Sequence, residues 1–296
     1  MEGTGALTTR AFFASEVTVT GTKGVKFITV HDHHLIAAGV EDNLNTVFFS
    51  VYNDPDDFSG SGSGAVTISD QVQGVKGFRA DLIVFAKNSI HKLVEINTPA
   101  TTRIDPIAEN VGCLSGYSIQ EIGGDLVFLA PDGIRTVAGT ARIGDTELSS
   151  ISRQIQNVIT SIAGSVNSFV VDSCVLRSKS QYRLFYSGAG ASPSTAKGVI
   201  GTFTGQGFEW SETSGIQAFG LSSTIDYLGV EKVFHGDKDG YVYNHDTGNS
   251  FLLEGSETNI LATYETPDLD FGDIGTRKSL KYVRTSISPE GNVSPV

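Results

Sequence analysis

Cysteine, positive charge and long apolar runs are all scarce in this chain. Cys113 and Cys174 are the only two cysteines in 296 residues and form no Cys-x-x-Cys pattern. The sequence therefore offers no zinc-ribbon or thioredoxin-type motif. Two buried free thiols are the expected state, with a single disulfide as the alternative. Lys and Arg number 21 against 33 Asp and Glu, a net charge of −12. That argues against a tight duplex-DNA binder, whose phosphate contacts need clustered cations. It suits a wall past which nucleic acid slides without sticking. No apolar run approaches the roughly 20 residues that span a bilayer, and the first five residues carry no basic segment or apolar core of a secretory signal. No membrane insertion by this chain is expected.

Catalytic signatures are also missing. There is no Gly-x-Ser-x-Gly elbow and no P-loop. Residues 59–64, SGSGSG, read as a flexible loop rather than a phosphate cradle, because no helix follows them. The many acids supply candidate pairs for glycoside hydrolysis, but nothing singles out two of them. No enzyme activity, catalytic residue, metal site or cofactor is expected.

Glycine is abundant, at 34 residues, which favours a turn-rich β protein. The organising stretch is Glu121 to Gly139, EIGGDLVFLAPDGIRTVAG. Gly123-Gly124 and Pro131-Asp132-Gly133 punctuate two apolar runs of strand length, a hairpin signal with a backbone reason. Weaker copies put hairpins near residues 35, 82, 126, 182 and 233. A spacing of about 45–50 residues fits the blades of a β-propeller, each a small antiparallel sheet of about four strands. A pair of β-sandwiches is the competing architecture. Further strands are expected at Ala11 to Thr20, Ile216 to Leu221 and Leu280 to Ile287, and 97–110, with Pro99 and Pro106, reads as a connection. The propeller-like domain is expected over 1–258, and 259–296 reads as the start of a further, incomplete β domain. The abrupt opening reads as though cut from a longer polypeptide.

One segment departs from the β pattern. Ile151, Ile155, Val158, Ile159 and Ile162 recur at helical spacing. Serines 149 and 150 are expected to cap the start and Gly164 to take a left-handed turn at the end, giving a short amphipathic helix near 150–163.

Several polar clusters invite chemistry. His31, His33 and His34 with Asp32 resemble part of a metal site, but further ligands at suitable spacing are missing, and a polar turn with solvated histidines is expected. Asp237, Asp239 and Gly240 open like a calcium loop, yet the twelfth position is Gly248 rather than glutamate, so a hairpin turn is expected. Asp54, Asp56 and Asp57 read as a capped turn. In Arg177 to Tyr186 the basic residues are expected to face outward on an amphipathic strand rather than toward nucleic acid.

Five segments together carry a resemblance. His34 to Gly39, HLIAAG, precedes Val47 to Ser50, VFFS, and then Asn53 to Phe58, NDPDDF; Gly124 to Arg135, GDLVFLAPDGIR, follows, with the serine-led helix of Ser150 to Ile159 after it. This arrangement resembles the propeller-bearing tail nozzle, tail tubular and tail-stabilisation proteins of short-tailed bacteriophages, over roughly residues 25–250. The resemblance implies a virion structural protein made in the host cytoplasm, in a ring with itself, a hexamer being typical. Tail adaptor or portal-complex proteins are the implied neighbours, and viral DNA passes without specific binding. The loops holding Asp54, Asp56, Asp57, Phe58, Ser192 and Pro193 become candidates for inter-subunit contact or gating. The alternative function is a carbohydrate-binding or glycan-cleaving propeller used in receptor recognition. It predicts a pocket at the blade axis with a carboxylate pair and exposed aromatics.

Overall fold

The computed structural model describes residues 24–98, 101–138, 151–192, 195–205, 207–248, 251–253 and 256–258, with scattered single positions beyond. The expected strand at Ala11 to Thr20, Ser149, Ser150 and most of the expected strand at Leu280 to Ile287 lie outside the described residues. The chain divides into a compact unit Met1–Tyr243 and a second unit Asn244–Val296, where the sequence reading puts the boundary after residue 258. In the second unit Phe251–Leu253 pairs antiparallel with Ser256–Thr258.

The first unit is mainly β: five antiparallel sheets of three or four strands in a propeller-like array. Sheet 1 holds β1 (Phe27–His31), β2 (His34–Val40), β3 (Asn43–Phe49) and β4 (Gly64–Thr67). Sheet 2 holds β5 (Val72–Phe78), β6 (Asp81–Ala86), β7 (Ser89–Val94) and β8 (Arg103–Glu109). Sheet 3 holds β9 (Gln120–Ile122), β10 (Asp125–Ala130) and β11 (Gly133–Thr136). Helix α1 (Gln156–Ser165) precedes sheet 4, which holds β12 (Phe169–Leu176), β13 (Gln181–Gly188), β14 (Lys197–Thr204) and β15 (Gly207–Ser214). Sheet 5 holds β16 (Gly220–Ile225), β17 (Glu231–Gly236) and β18 (Val242–Asn244). The expected hairpins are the second strands β2, β6, β10, β13 and β17. Each sheet is a meander in sequence order, as short turns between antiparallel strands dictate. At the turn before β10, Gly123 and Gly124 both take positive φ, 62° and 77°, the mirror-image geometry that follows strand twist.

Side-chain alternation explains the stacking. In β6 the even residues Leu82 and Val84 pack with Ile36, Val47 and Phe49 of sheet 1. The odd residues Ile83 and Phe85 pack with Leu126 and Phe128 of sheet 3. In β10 the other face, Val127 and Leu129, packs with Val171, Tyr182 and Leu184 of sheet 4 and with Ile159 and Ile162 of α1. Covering both faces is why LIVFA and LVFLA are unbroken apolar runs rather than alternating ones. Each such buried Leu, Ile or Phe contributes about 1.5–3 kcal/mol. Between sheets 4 and 5 the cluster is smaller, Cys174, Leu176 and Val233 with Leu221. Both cysteines are buried free thiols, as expected.

Some expectations are corrected. Residues 103–109 form the edge strand β8 despite Pro106; a register shift opposite Ile90 and His91 accommodates the missing N–H. Residues 216–219 are not strand, and β16 starts at Gly220. Gly164 lies inside α1 with no left-handed turn, and the helix runs on into a tighter turn at Val166–Ser168. Nor does a serine cap α1: the Ser152 hydroxyl accepts the Ile134 N–H at 2.9 Å, docking the segment on β11. The Trp210 indole N–H donates to the Ile151 carbonyl at 2.8 Å and ties the same segment to β15. Arg183 does not face outward. It is buried in β13, whose faces are both covered, and its guanidinium donates to Gln181 Oε1 at 2.7 Å.

Candidate functional site

The first strands of the sheets lie together: β1 beside β5, β9 beside β12, and β12 beside β16. A cavity of about 470 Å³ is lined by the starts of sheets 1, 2 and 4 and by the chain leading into sheets 3 and 5. Phe27 comes from β1, Gln73 from β5, Tyr117 from the turn before β9, Phe169 and Asp172 from β12, and Phe219 from the approach to β16. Aromatic rings thus recur at the start of four of the five sheets, at roughly the blade period.

Close backbone approach makes this convergence possible. A Cβ on Gly116 would lie 2.2 Å from the Gln73 carbonyl oxygen, and one on Gly74 would lie 2.9 Å from the Gly116 Cα. Only hydrogens fit there. Polar bonds then hold the wall: the Ser173 hydroxyl donates to the Tyr117 carbonyl at 2.6 Å and the Gln120 amide to the Ser173 carbonyl at 2.8 Å. Deeper, the buried Tyr182 hydroxyl donates to the Ser118 carbonyl at 2.8 Å, and burial raises its pKa well above the usual tyrosine value.

Asp172 is the carboxylate of the cavity wall. It accepts the Ser173 N–H at 2.8 Å and the Leu221 N–H at 2.7 Å, joining sheet 4 to sheet 5. Burial pushes its pKa up to about 6, against the lowering effect of those two donors. Desolvation wins because the carboxylate trades water for only two amides. Phe27 and Tyr117 form a tilted ring pair 6.4 Å apart at the rim, where Tyr117 is 59% exposed. The Lys26 ammonium, the Gln73 and Asn167 amides and the Tyr117 hydroxyl make no side-chain hydrogen bond to any described residue.

The two expected loops are not brought together as one site. Asp54 to Phe58 lie in the β3–β4 connection, which leaves sheet 1 at the end where its first strand finishes. There the Asp57 carboxylate accepts the Ser59 N–H at 2.8 Å and the Gly60 N–H at 2.9 Å, the expected capped turn. Those bonds hold its pKa below the usual carboxylate value. Asp54 Oδ1 accepts the Asp56 N–H at 3.4 Å. Ser192 lies in the β13–β14 connection, at the opposite end of the meander, and Pro193 lies outside the described residues. That second loop is near the cavity end: the Gln217 amide, two residues before Phe219, donates to the Ala191 carbonyl at 2.5 Å.

The expected polar turn forms at Asp32 and His33, both exposed, but His34 is not solvated. Asp32 and His33 form the β1–β2 turn with φ of 47° and 65°, so His33 leaves the strand face. His34 is buried: its Nδ1 meets the Ser50 carbonyl at 2.5 Å and its Nε2 the Asn97 Oδ1 at 3.0 Å. Asn97 in turn donates to Asp32. Through Asn97, His34 and Asp32 tie sheet 1 to the β7–β8 connection of sheet 2. Asp237 forms a hairpin turn as expected, accepting the Asp239 and Tyr241 N–H groups at 2.9 Å each. Among the described residues no group of three or more His, Cys, Asp or Glu is placed to hold a metal ion.

The cavity residues Gln73, Tyr117, Asn167 and Asp172 were missed in the sequence. The available signal was the aromatic residue recurring at each blade start, legible only once the blades are aligned.

No protein-family model and no curated protein matches this chain. Among solved structures, it is similar to the extracellular domain of a hybrid two-component system from B. thetaiotaomicron, with a TM-score of 0.43 and 11% identity over 78% of this chain. It spans 30% of the length of that protein's chain. It is also similar to BBS1N, solved in complex with ARL6DN, with a TM-score of 0.31 and 12% identity, covering 76% of this chain and 74% of that one.

Proposed function

We propose that this protein is a structural subunit of the tail of a short-tailed phage, a nozzle or tube ring protein forming part of the DNA-ejection conduit. The observation that carries the reading is the stack of sheets whose middle members are buried on both faces. Leu82 to Ala86 and Leu126 to Ala130 are each at most 3% exposed. Interiors packed to this degree deform little, which a conduit under load requires. The segments that resemble tail proteins fall on this frame: HLIAAG on β2, VFFS closing β3, and GDLVFLAPDGIR spanning β10 and β11.

Two further features support a ring. Sheet 1 turns Ile28 and Val30 outward, 71% and 70% exposed. The β16–β17 hairpin presents Ile225, Tyr227 and Leu228, 68%, 92% and 69% exposed. Exposed apolar groups of this kind mark association surfaces when they cluster. Asp226 makes the second one rigid by accepting the Leu228 and Val230 N–H groups at 2.8 and 2.9 Å. The net charge of −12 would keep DNA from adhering to a lumen wall.

Cross-linking mass spectrometry on purified particles of the encoding phage tests the reading. The expected result is abundant cross-links of this chain to itself and to portal or adaptor proteins. Cross-links confined to fibres, or absence from the particles, would overturn it. A lysine series replacing acidic lumen residues should slow genome ejection; unchanged kinetics would remove the repulsive-wall argument.

A further inference from the structure

We infer that the cavity at the starts of the sheets is a binding site for a short neutral saccharide, one or two sugar rings entering past Tyr117. This inference does not rest on the tail reading, since it is argued from the cavity alone.

The size is that of a small-molecule site, whose volumes run about 300–1,000 Å³, and the cavity measures about 470 Å³. Its lining decides the ligand class. Phe27 and Tyr117 at the mouth, with Phe169 and Phe219, offer flat apolar faces. Between them stand the Gln73 and Asn167 amides, each an acceptor and a two-hydrogen donor with no bond to a described residue. A sugar ring presents the same mixture, an apolar C–H face with hydroxyls around its edge. Hydroxyls that both donate and accept can engage amide N–H₂ and C=O groups at once.

Other ligand classes fit less well. A phosphate-bearing ligand needs several cations or a helix N-terminus, and among the described residues the lining has Lys26 as its one cation, with Asp172 also in the wall. A wholly apolar ligand would bury the Gln73 and Asn167 amides without partners, which is costly. Cleavage of a glycosidic bond needs two carboxyl groups across the bond. Among the described residues the lining holds a single acid, Asp172, with both oxygens accepting N–H groups, which suits binding rather than cleavage.

The test is calorimetric titration of the full chain with glucose, galactose, N-acetylglucosamine, maltose and lactose, with a glycan array to extend the panel. The expected result is saturable binding of at least one sugar. Tyr117→Ala and Gln73→Ala should each weaken it tenfold or more, about 1.4 kcal/mol. Both side chains are at least partly exposed, so the variants should melt as the parent does, and Tyr227→Ala on the distant β16–β17 hairpin should bind normally. No binding across the array, or binding untouched by both cavity variants, would overturn the assignment. So would preferential binding of inorganic phosphate or of an unstructured peptide. A sugar that binds while cross-linking fails to place the chain in a tail would leave this site standing and remove only the ring.

Discussion

Replacing Asp172 by asparagine separates burial from hydrogen bonding at the cavity wall. The native carboxyl has its pKa raised from 3.8 to about 6, chiefly by burial. A folded-state value above the unfolded one means that the native protein holds this proton more tightly. The associated stability is therefore full below about pH 4 and is lost as pH rises through about 6. Two units at 1.36 kcal/mol each amount to about 3 kcal/mol. Asparagine keeps one acceptor for the Leu221 or Ser173 N–H and does not titrate. The advantage of Asp172→Asn over the parent should then grow by most of that amount, about 2 kcal/mol, between pH 4 and pH 7. Urea unfolding of both proteins at stepped pH measures this directly, because the other titrating groups cancel in the difference. A difference constant across that range would show the carboxylate to be solvated. A difference that shrinks as pH rises would show that the two N–H donors outweigh desolvation, and the physical account of this wall would fail.

Other substitutions test the packing. Tyr182→Phe leaves the buried Ser118 carbonyl without its 2.8 Å donor and should cost about 1–3 kcal/mol, read by chemical denaturation; no loss would mean that water replaces the hydroxyl. Phe128→Ala opens a void between sheets 2 and 3, where its ring meets Phe85 at 5.2 Å, and should cost about 3–5 kcal/mol, checked by the thermal midpoint. Gly116→Ala forces the chain off the Gln73 carbonyl; it should lower the melting temperature, whereas Gly123→Ala, in open space but at positive φ, tests backbone strain alone. Tyr227→Ser with Leu228→Ser should change the stability of the single chain by less than about 0.5 kcal/mol while reducing self-association; a large stability loss would show that the hairpin tip packs on its own chain.

The blade period was legible in the sequence because it depends on local rules. Turn chemistry at Gly123-Gly124 and Asp237 to Gly240, and runs of strand length between, need no knowledge of distant neighbours. The expected hairpin positions therefore coincide with β2, β6, β10, β13 and β17. The apolar runs LIVFA and LVFLA even announce burial on two faces, since a half-exposed strand would alternate. Where local preference and tertiary context conflicted, context won. Pro106 sits in a strand because β8 is an edge with a register shift. Arg183 is buried because its strand lies between two neighbours. His34 faces Ser50 and Asn97, the latter 63 positions away, so its solvent-facing reading had no local contradiction.

Sequence by itself thus determined a mainly β chain of repeated hairpins and capped turns at Asp57 and Asp237. Each follows from residue type and near neighbours. Tertiary structure alone decided the cavity, because Phe27, Gln73, Tyr117, Asp172 and Phe219 meet only when five sheets converge. It also decided the protonation balance of Asp172, which depends on burial and on the Leu221 N–H, 49 positions away. Desolvation is a property of the assembled surroundings, and no stretch of sequence carries it.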